Sequence, residues 1–374
     1  MPSVHGMRIA FFGSSIVSAY WNGAATYYRG LLKAIARRGH RITFYEPDAF
    51  GRQQHRDLIE NPDYCEVVVY PAAGDGDALR ALESARDADV IVKASGIGVF
   101  DALLERAVPE FCSSRQTALF WDVDAPATLD RVCNDRSDPF HIALPRYDAV
   151  FTYGGGPPVV AAYEKLGARS CLPIYNALDP DTHFPVHADP AFIADTAFLG
   201  NRLPDREQRV HEFFFRPARH LSAKRFILGG SGWDDVVKRH PNVRYLRHVY
   251  TSQHNAFYSS PRTVLSINRE SMARYGYSPA TRIFEAAGAA ACIITDQWAG
   301  LGMFLEPGRE CIAVETGEEA AERIASIGER EAAEIGEAGH RRILAEHTYT
   351  RRAEIVERFL GAKPALAGST GVLG

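Results

Sequence analysis

Short β-rich runs alternate with helical stretches along most of this chain, and the alternation begins twice. The first series of strand-like runs covers residues 8–12, 41–45, 66–70, 89–93, 117–121 and 148–152. Helical patterns fall between most of them, at 24–38 (closed by Gly39), 78–86 and 99–108. Strands separated by helices need crossover connections, and crossovers produce a parallel sheet covered by helices on both faces. Right-handed crossovers make such a sheet doubly wound.

A stretch without apolar period follows at 176–190, with Pro180, Pro185 and Pro190 and several Asp and His, and reads as a linker. Beyond it the alternation restarts, with strand-like runs at 196–199, 225–228, 243–246, 263–267, 292–295 and 311–314. Helices fit 206–216, 279–287 and 320–327, then 331–345 and 350–360. The expected architecture is α/β: two Rossmann-like domains facing a central cleft, 1–185 and 186–348. A tail over 363–374, rich in Gly, Ala, Ser and Thr, is expected to be disordered. A length of 374 residues suits two domains, and 46% apolar with 24% charged residues supplies a core for each.

The same composition narrows the function. A net charge of −4 argues against a nucleic-acid partner, which usually meets a basic surface. No apolar run approaches the roughly 20 residues of a membrane span. The N-terminus lacks the apolar core of a secretory signal, with Met7 an alternative start. Six scattered cysteines (65, 112, 133, 171, 292, 311) form no C-x-x-C pair. That pattern is expected of reduced thiols in the cytoplasm and not of a structural zinc site.

Five segments carry residues suited to chemistry. Gly13-Ser14-Ser15, with Trp21-Asn22-Gly23, follows the first strand. Its small residues allow a ligand to approach the backbone, or they make an ordinary tight turn. Asp122 and Asp124 follow the strand at 117–121; side chains two apart on an extended chain share a face. The pair could serve an acceptor hydroxyl or a metal, or one of them could cap the next helix. Residues 200–250 hold 11 Lys/Arg against 5 acids, and 315–337 hold 8 Glu against 2 Arg, so the net charge conceals a positive and a negative segment. Arg202 and Arg206, just after the strand at 196–199, are placed to clamp a diphosphate. Gly229, Gly230 and Gly232, ahead of Trp233, form a turn whose N–H groups suit a phosphate, without the G-K-[ST] ending of a P-loop.

The fifth segment is the most specific. Ser278 is the expected N-cap and Pro279 the first residue of a short helix that also carries Thr281, Arg282 and Glu285. Arg282 and Glu285 lie three apart on one face. In a small, apolar helix a carboxylate is costly unless it binds something: two ribose hydroxyls, or Arg282 itself.

Arg282-x-Phe-Glu285-Ala-Ala-Gly, followed by Asp296, Gly300-Leu301 and Phe304-x-Glu306-Pro307-Gly308-x-Glu310, resembles the C-terminal domain of CgeB-like glycosyltransferases. These are GT-B enzymes related to glycosyltransferase family four. Phe198-Leu-Gly200-Asn201, Arg206, Trp21-Asn22-Gly23, Asp122-Val-Asp124-Ala-Pro126 and Asn176-Ala-Leu-Asp179-Pro180 extend the likeness over most of 8–360. The resemblance implies sugar transfer from a nucleoside-diphosphate sugar (UDP, dTDP or GDP) without a metal or resident cofactor. It implies that Glu285 holds the ribose, with Arg282, Ser278, Thr281, Arg269, Gly230 and Trp233 around the donor. Arg202 and Arg206 would hold the diphosphate, and Gly13, Asn22 and Gly23 would face the acceptor; an inverting reaction would need a base, Asp122 or Asp124, and a retaining one could use the leaving phosphate itself. It also implies that the last helix, about 349–362, packs back on the first domain. Family four places a further Glu eight positions before the ribose-binding one; here that position is Tyr277. The alternatives are a sugar-nucleotide epimerase on the same scaffold, or an inert sugar-nucleotide-binding module. Acceptor, sugar, stereochemistry and oligomeric state are not legible.

Overall fold

A computed structural model describes residues 6–20, 22–135 and 137–362. Trp21 and the tail at 363–374 lie outside the described residues. The chain divides into two compact units, one running to Tyr175 and resuming at Tyr349, the other Asn176–Thr348.

The first unit holds seven strands: β1 Arg8–Phe12, β2 Arg41–Pro47, β3 Glu66–Tyr70, β4 Val90–Ala94, β5 Thr117–Asp122, β6 Ala149–Thr152 and β7 Cys171–Pro173. They form one parallel sheet in the order β3-β2-β1-β4-β5-β6-β7. Every residue of β4, β5 and β6 is buried, as a sheet covered on both faces requires. Only β7 has no counterpart in the sequence reading; three residues are too few to show a period.

The second unit holds β8 Thr196–Leu199, β9 Phe226–Gly229, β10 Val243–Leu246, β11 Thr263–Ser266, β12 Ile293–Asp296 and β13 Ile312–Val314. Their order is β10-β9-β8-β11-β12-β13, again all parallel. Each sheet therefore starts at its centre and reverses direction there: β1 lies between β2 and β4, and β8 between β9 and β11. Doubly wound sheets bind ligands at such a switch point, beyond the carboxyl ends of the strands. Gly13 and Gly200 are the residues that leave those two strands.

Two expectations change. The helix read at 206–216 begins at Pro204, passes into a π-helical stretch at His211–Phe215, and continues through Arg216–His220. Phe213, Phe214 and Phe215 all enter one core there. Three consecutive side chains at the regular spacing of an α-helix spread over more than half its circumference, and the wider turn helps gather them on one side.

The stretch at 176–190, expected as a linker split at 185, belongs to the second unit from Asn176 onward. It is bound there along its length. The Leu178 N–H donates to the His347 carbonyl (2.8 Å). Phe184 N–H donates to Asn255 Oδ1 (3.2 Å), and Asn255 Nδ2 to the Thr182 carbonyl (3.1 Å). Gly288 lets it approach: a Cβ there would meet Leu178 Cδ1 at 2.4 Å.

The helix Tyr349–Ala362 belongs to the first unit. It lies on the helix Ala25–Arg37, where the Tyr349 ring occupies the space a Cβ on Gly30 would need. Arg38 Nη2 and His40 Nε2 meet Glu357 at 2.5 and 3.0 Å.

Candidate functional site

In the second unit, β8 delivers Gly200 to the switch point, and two arginines converge on it. A Cβ added to Gly200 would lie 3.0 Å from Arg206 Nη1 and 3.1 Å from Arg282 Nη2. Arg206 stands on the helix Pro204–Val210, and Arg282 on the helix Thr281–Gly288. Arg282 is buried; its Nε donates to the Leu199 carbonyl (2.6 Å), and its guanidinium covers the Phe198 ring at 4.9 Å. Arg206 Nη1 donates to the Asn201 carbonyl (3.2 Å). Arg282 Nη1 and Arg206 Nε are buried donors without a partner, and neither arginine forms an ion pair among the described residues.

Two cations held side by side, Arg282 buried and Arg206 half-buried, with donors unspent, cost free energy unless an anion completes them. Burial, then the charges of Arg282 and Arg269, push the Arg206 guanidinium down to about 10. Burial lowers Arg282 as well, against the opposing pull of Tyr258 and Glu285.

Arg202 differs. It pairs with Glu207 and with Asp235 (2.9 Å), and these partners raise its pKa. Arg269 pairs with Asp205 at 2.8 Å. Much of the positive segment is spent in the same way: Arg209 on Asp296 and Glu270, Arg216 on Glu212 and Glu318, Arg247 on Asp234. Of the two arginines the sequence offered as a clamp, only Arg206 keeps charge in reserve.

The glycine turn after β9 serves the fold more than a ligand. Gly230 (φ +120°) donates its N–H to the Leu246 carbonyl (2.9 Å), and Ser231 N–H goes to Asn201 Oδ1 (2.9 Å). A Cβ on Gly230 would strike the Gly200 carbonyl oxygen at 2.5 Å, so glycine is required for close approach of the two turns. Trp233, expected near the donor, is fully buried, and its Nε1–H holds the Gly200 carbonyl at 2.9 Å. Both residues back the Gly200 turn on which the two arginines converge.

The helix carrying Glu285 starts later than expected. Its N-cap is Ala280, with no side-chain cap, so Ser278 and Pro279 precede the helix. Thr281 accepts a hydrogen bond from Asn176 Nδ2. Glu285 is half-buried and makes no ion pair with Arg282 among the described residues; its Oε2 accepts from the Tyr258 hydroxyl (3.2 Å). Tyr277 is half-buried, and its ring fills the space a Cβ on Gly300 would need. Asp296 is buried on Arg209 and the Asn268 N–H (2.6 and 2.9 Å).

His183, His254 and Tyr258 were missed. Lone histidines in irregular sequence give no period to read, and only the fold brings them to Glu285.

In the first unit the sequence candidates separate. Asp122 is wholly buried; Ser95 Oγ (2.7 Å), Thr128 Oγ1 (3.1 Å), the Asp124 N–H (3.0 Å) and the Tyr163 hydroxyl donate to it. Burial raises its pKa, the hydrogen bonds opposing. Its contacts all lie inside the core, as those of a structural carboxylate do. Asp124 sits beyond the strand, exposed, at the N-cap of Ala125–Asn134, and does not cap with its side chain. The two do not share a face, because β5 ends at Asp122.

Gly13 gives its N–H to the Tyr45 carbonyl (3.0 Å) and its missing side chain to the Phe44 ring. Asn22 is buried and ties Ser14, Ser15 and Ser18 together at 2.7–3.0 Å. Both shape the loop. Gly23 alone is exposed, with open space at its Cβ position. Tyr27 and Tyr28 are core; the Tyr27 hydroxyl donates to the Ile174 carbonyl (2.6 Å) and accepts from Trp121 Nε1 (3.0 Å).

Residues 206–358 match a family model described as glycosyl transferase-like. Sucrose-phosphate synthase of Thermosynechococcus elongatus is similar in structure, with a TM-score of 0.67, 14% identity and coverage of 95% of this chain and 98% of that one. HepE of Anabaena, solved with UDP and glucose, gives a TM-score of 0.63 at 15% identity, covering 95% and 99%. An α-glucosyltransferase solved with UDP gives 0.68 at 13% identity, covering 95% and 100%.

The fold is GT-B. The residues that match the glycosyl transferase-like model include Arg206, Arg282 and Glu285. The α-glucosyltransferase has also been solved with a 13-mer DNA, so the GT-B fold does not support the exclusion of nucleic acid drawn from net charge. A comparison with curated protein sequences gives no match. Among the described residues, no helix is long and apolar enough to cross a membrane.

Proposed function

We propose that this chain transfers a sugar from UDP-sugar to an acceptor, with the donor diphosphate seated on Arg206 and Arg282. The observation that carries the proposal is the convergence of those two arginines on Gly200 with buried donors unspent. UDP in two of the structural neighbours supports that nucleotide over dTDP or GDP, and the match at 206–358 supports the reaction class.

In this reading Glu285 holds the ribose hydroxyls through the oxygen that Tyr258 leaves free. As the glycosidic C–O bond breaks, charge grows on the departing diphosphate. Preorganised guanidinium donors in a partly dry site stabilise that charge more than water does. The arginine pair takes the place of a metal, and no resident cofactor is required. Asp122 is withdrawn as acceptor base, which leaves Asp124 or the departing phosphate itself to take the acceptor proton. The motifs around Arg282 and Glu306 support a CgeB-like member of the class. Four buried thiols, Cys65, Cys171, Cys292 and Cys311, support a reducing, cytoplasmic setting.

Thermal shift against a panel of nucleoside diphosphates and their sugars tests the donor, since a ligand specific for the folded state raises the melting temperature. UDP and a UDP-sugar should give the largest shifts. Glu285→Ala should raise the donor KM strongly; a normal donor KM would remove the ribose assignment.

A further inference from the structure

His183, His254 and Glu285 place three metal-ligand atoms within 4.8 Å of one another in the second unit. His183 comes from the loop after Asn176, His254 from the start of the helix His254–Ser259, and Glu285 from the helix Thr281–Gly288. His183 is 8% exposed, and its Nε2 has no hydrogen-bond partner. His254 Nδ1 is a second buried nitrogen without one.

The tautomer of His183 follows from its neighbours. Thr182 Oγ1 gives its single hydrogen to the Asp179 carbonyl (3.0 Å). Its contact with His183 Nδ1 (2.9 Å) must then be an N–H···O bond donated by the ring. With the proton on Nδ1, the neutral ring carries a lone pair on Nε2, the atom left unpartnered. A hydroxyl or carbonyl fixing one ring nitrogen while the other stays bare is the outer-shell pattern of metal-binding histidines. Glu285 is oriented likewise, by the Tyr258 hydroxyl (3.2 Å).

We propose that His183, His254 and Glu285 bind a divalent cation of the Zn2+ class, with a fourth position open to water. Two imidazoles and one carboxylate are a known donor set for such a site, whereas Mg2+ and Ca2+ favour all-oxygen shells. Zn2+ at about 2.1 Å from each ligand draws the ligand atoms to roughly 3.4 Å apart. The half-buried His254 and Glu285 have the freedom to close that distance. Resting on the reading of Glu285 as the ribose ligand, a bound cation takes the carboxylate that the nucleotide needs, so the cation opposes donor binding.

The test uses the full chain, with Zn2+ followed by calorimetry and Co2+ by its visible absorption. We expect one cation per chain, lost in both His183→Ala and His254→Ala. Thr182→Val, which frees the His183 tautomer, should weaken binding roughly 10- to 100-fold. Circular dichroism and the metal-free melting temperature show that each variant folds. No binding by the wild type, or binding that survives both histidine substitutions, overturns the site. Zn2+ should also weaken UDP binding in the wild type but not in His254→Ala. A site that binds Zn2+ through both histidines without affecting UDP leaves the cation proposal standing and removes Glu285 from the nucleotide.

Discussion

Arg206 and Arg282 aim their guanidinium ends at the same glycine, Gly200, and neither has a carboxylate within ion-pair distance among the described residues. Gly200 is where β8 leaves the sheet at the reversal of strand order, so the fold brings charge and ligand position to one point.

Gly200→Ala should therefore act on binding. Its Cβ would press on Phe198 Cζ at 2.9 Å and displace both arginine ends. Losing one charge-assisted hydrogen bond costs about 1.5–3 kcal/mol, so UDP affinity should fall roughly tenfold or more. Gly302→Ala, with nothing within 4 Å of the new atom, should leave affinity unchanged. Calorimetric titration of both variants checks this.

Asp122→Asn should act on stability. The carboxylate collects four donors in the core, and an amide nitrogen in place of one oxygen meets a donor with a donor. A loss of about 1–3 kcal/mol is expected in urea unfolding, with kcat per folded molecule preserved. Unchanged stability with collapsed kcat would restore Asp122 to the chemistry.

Glu357 makes the docking of the last helix sensitive to acid. Burial alone would raise its pKa, but hydrogen bonds from Arg38 and His40 outweigh burial and hold it below the ordinary value. A depressed carboxylate contributes its stability above the unfolded-state pKa of about 4.3 and loses it as pH falls through the folded value. Glu357 is half-buried and its partner Arg38 reaches solvent, so the contribution is about 1 kcal/mol or less. The melting temperatures of wild type and Glu357→Gln should differ near neutrality and converge below about pH 4. A gap that persists in acid would contradict the pairing.

The two sheets were legible in the sequence because buried parallel strands are continuous apolar runs, and twelve of the thirteen overlap the expected positions. The anion site was legible in part. Arg206 and Arg282 stand out by their place after a strand and on an apolar helix, but sequence cannot show that Glu207 and Asp235 neutralise Arg202. Nor can it show that Asp122 turns inward while Asp124 turns out; that depends on the strand ending between them. Asn22 and Trp233 look like ligand groups in one dimension, yet they spend their hydrogen bonds holding the loops that present the site. His183 and His254 are 71 residues apart in sequence and meet Glu285 only through the fold, so no spacing announces them.

The most direct measurement compares UDP with uridine by calorimetry in the wild type, Arg206→Met and Arg202→Met, with folding checked by circular dichroism. Arg206 in this account meets the diphosphate, so the wild type should bind UDP more tightly than uridine. Arg206→Met should lose roughly tenfold to a hundredfold in UDP affinity while keeping its affinity for uridine. Arg202→Met, whose charge is already neutralised by Glu207 and Asp235, should keep the preference. A folded Arg206→Met protein that retains the full preference for UDP would contradict the assignment.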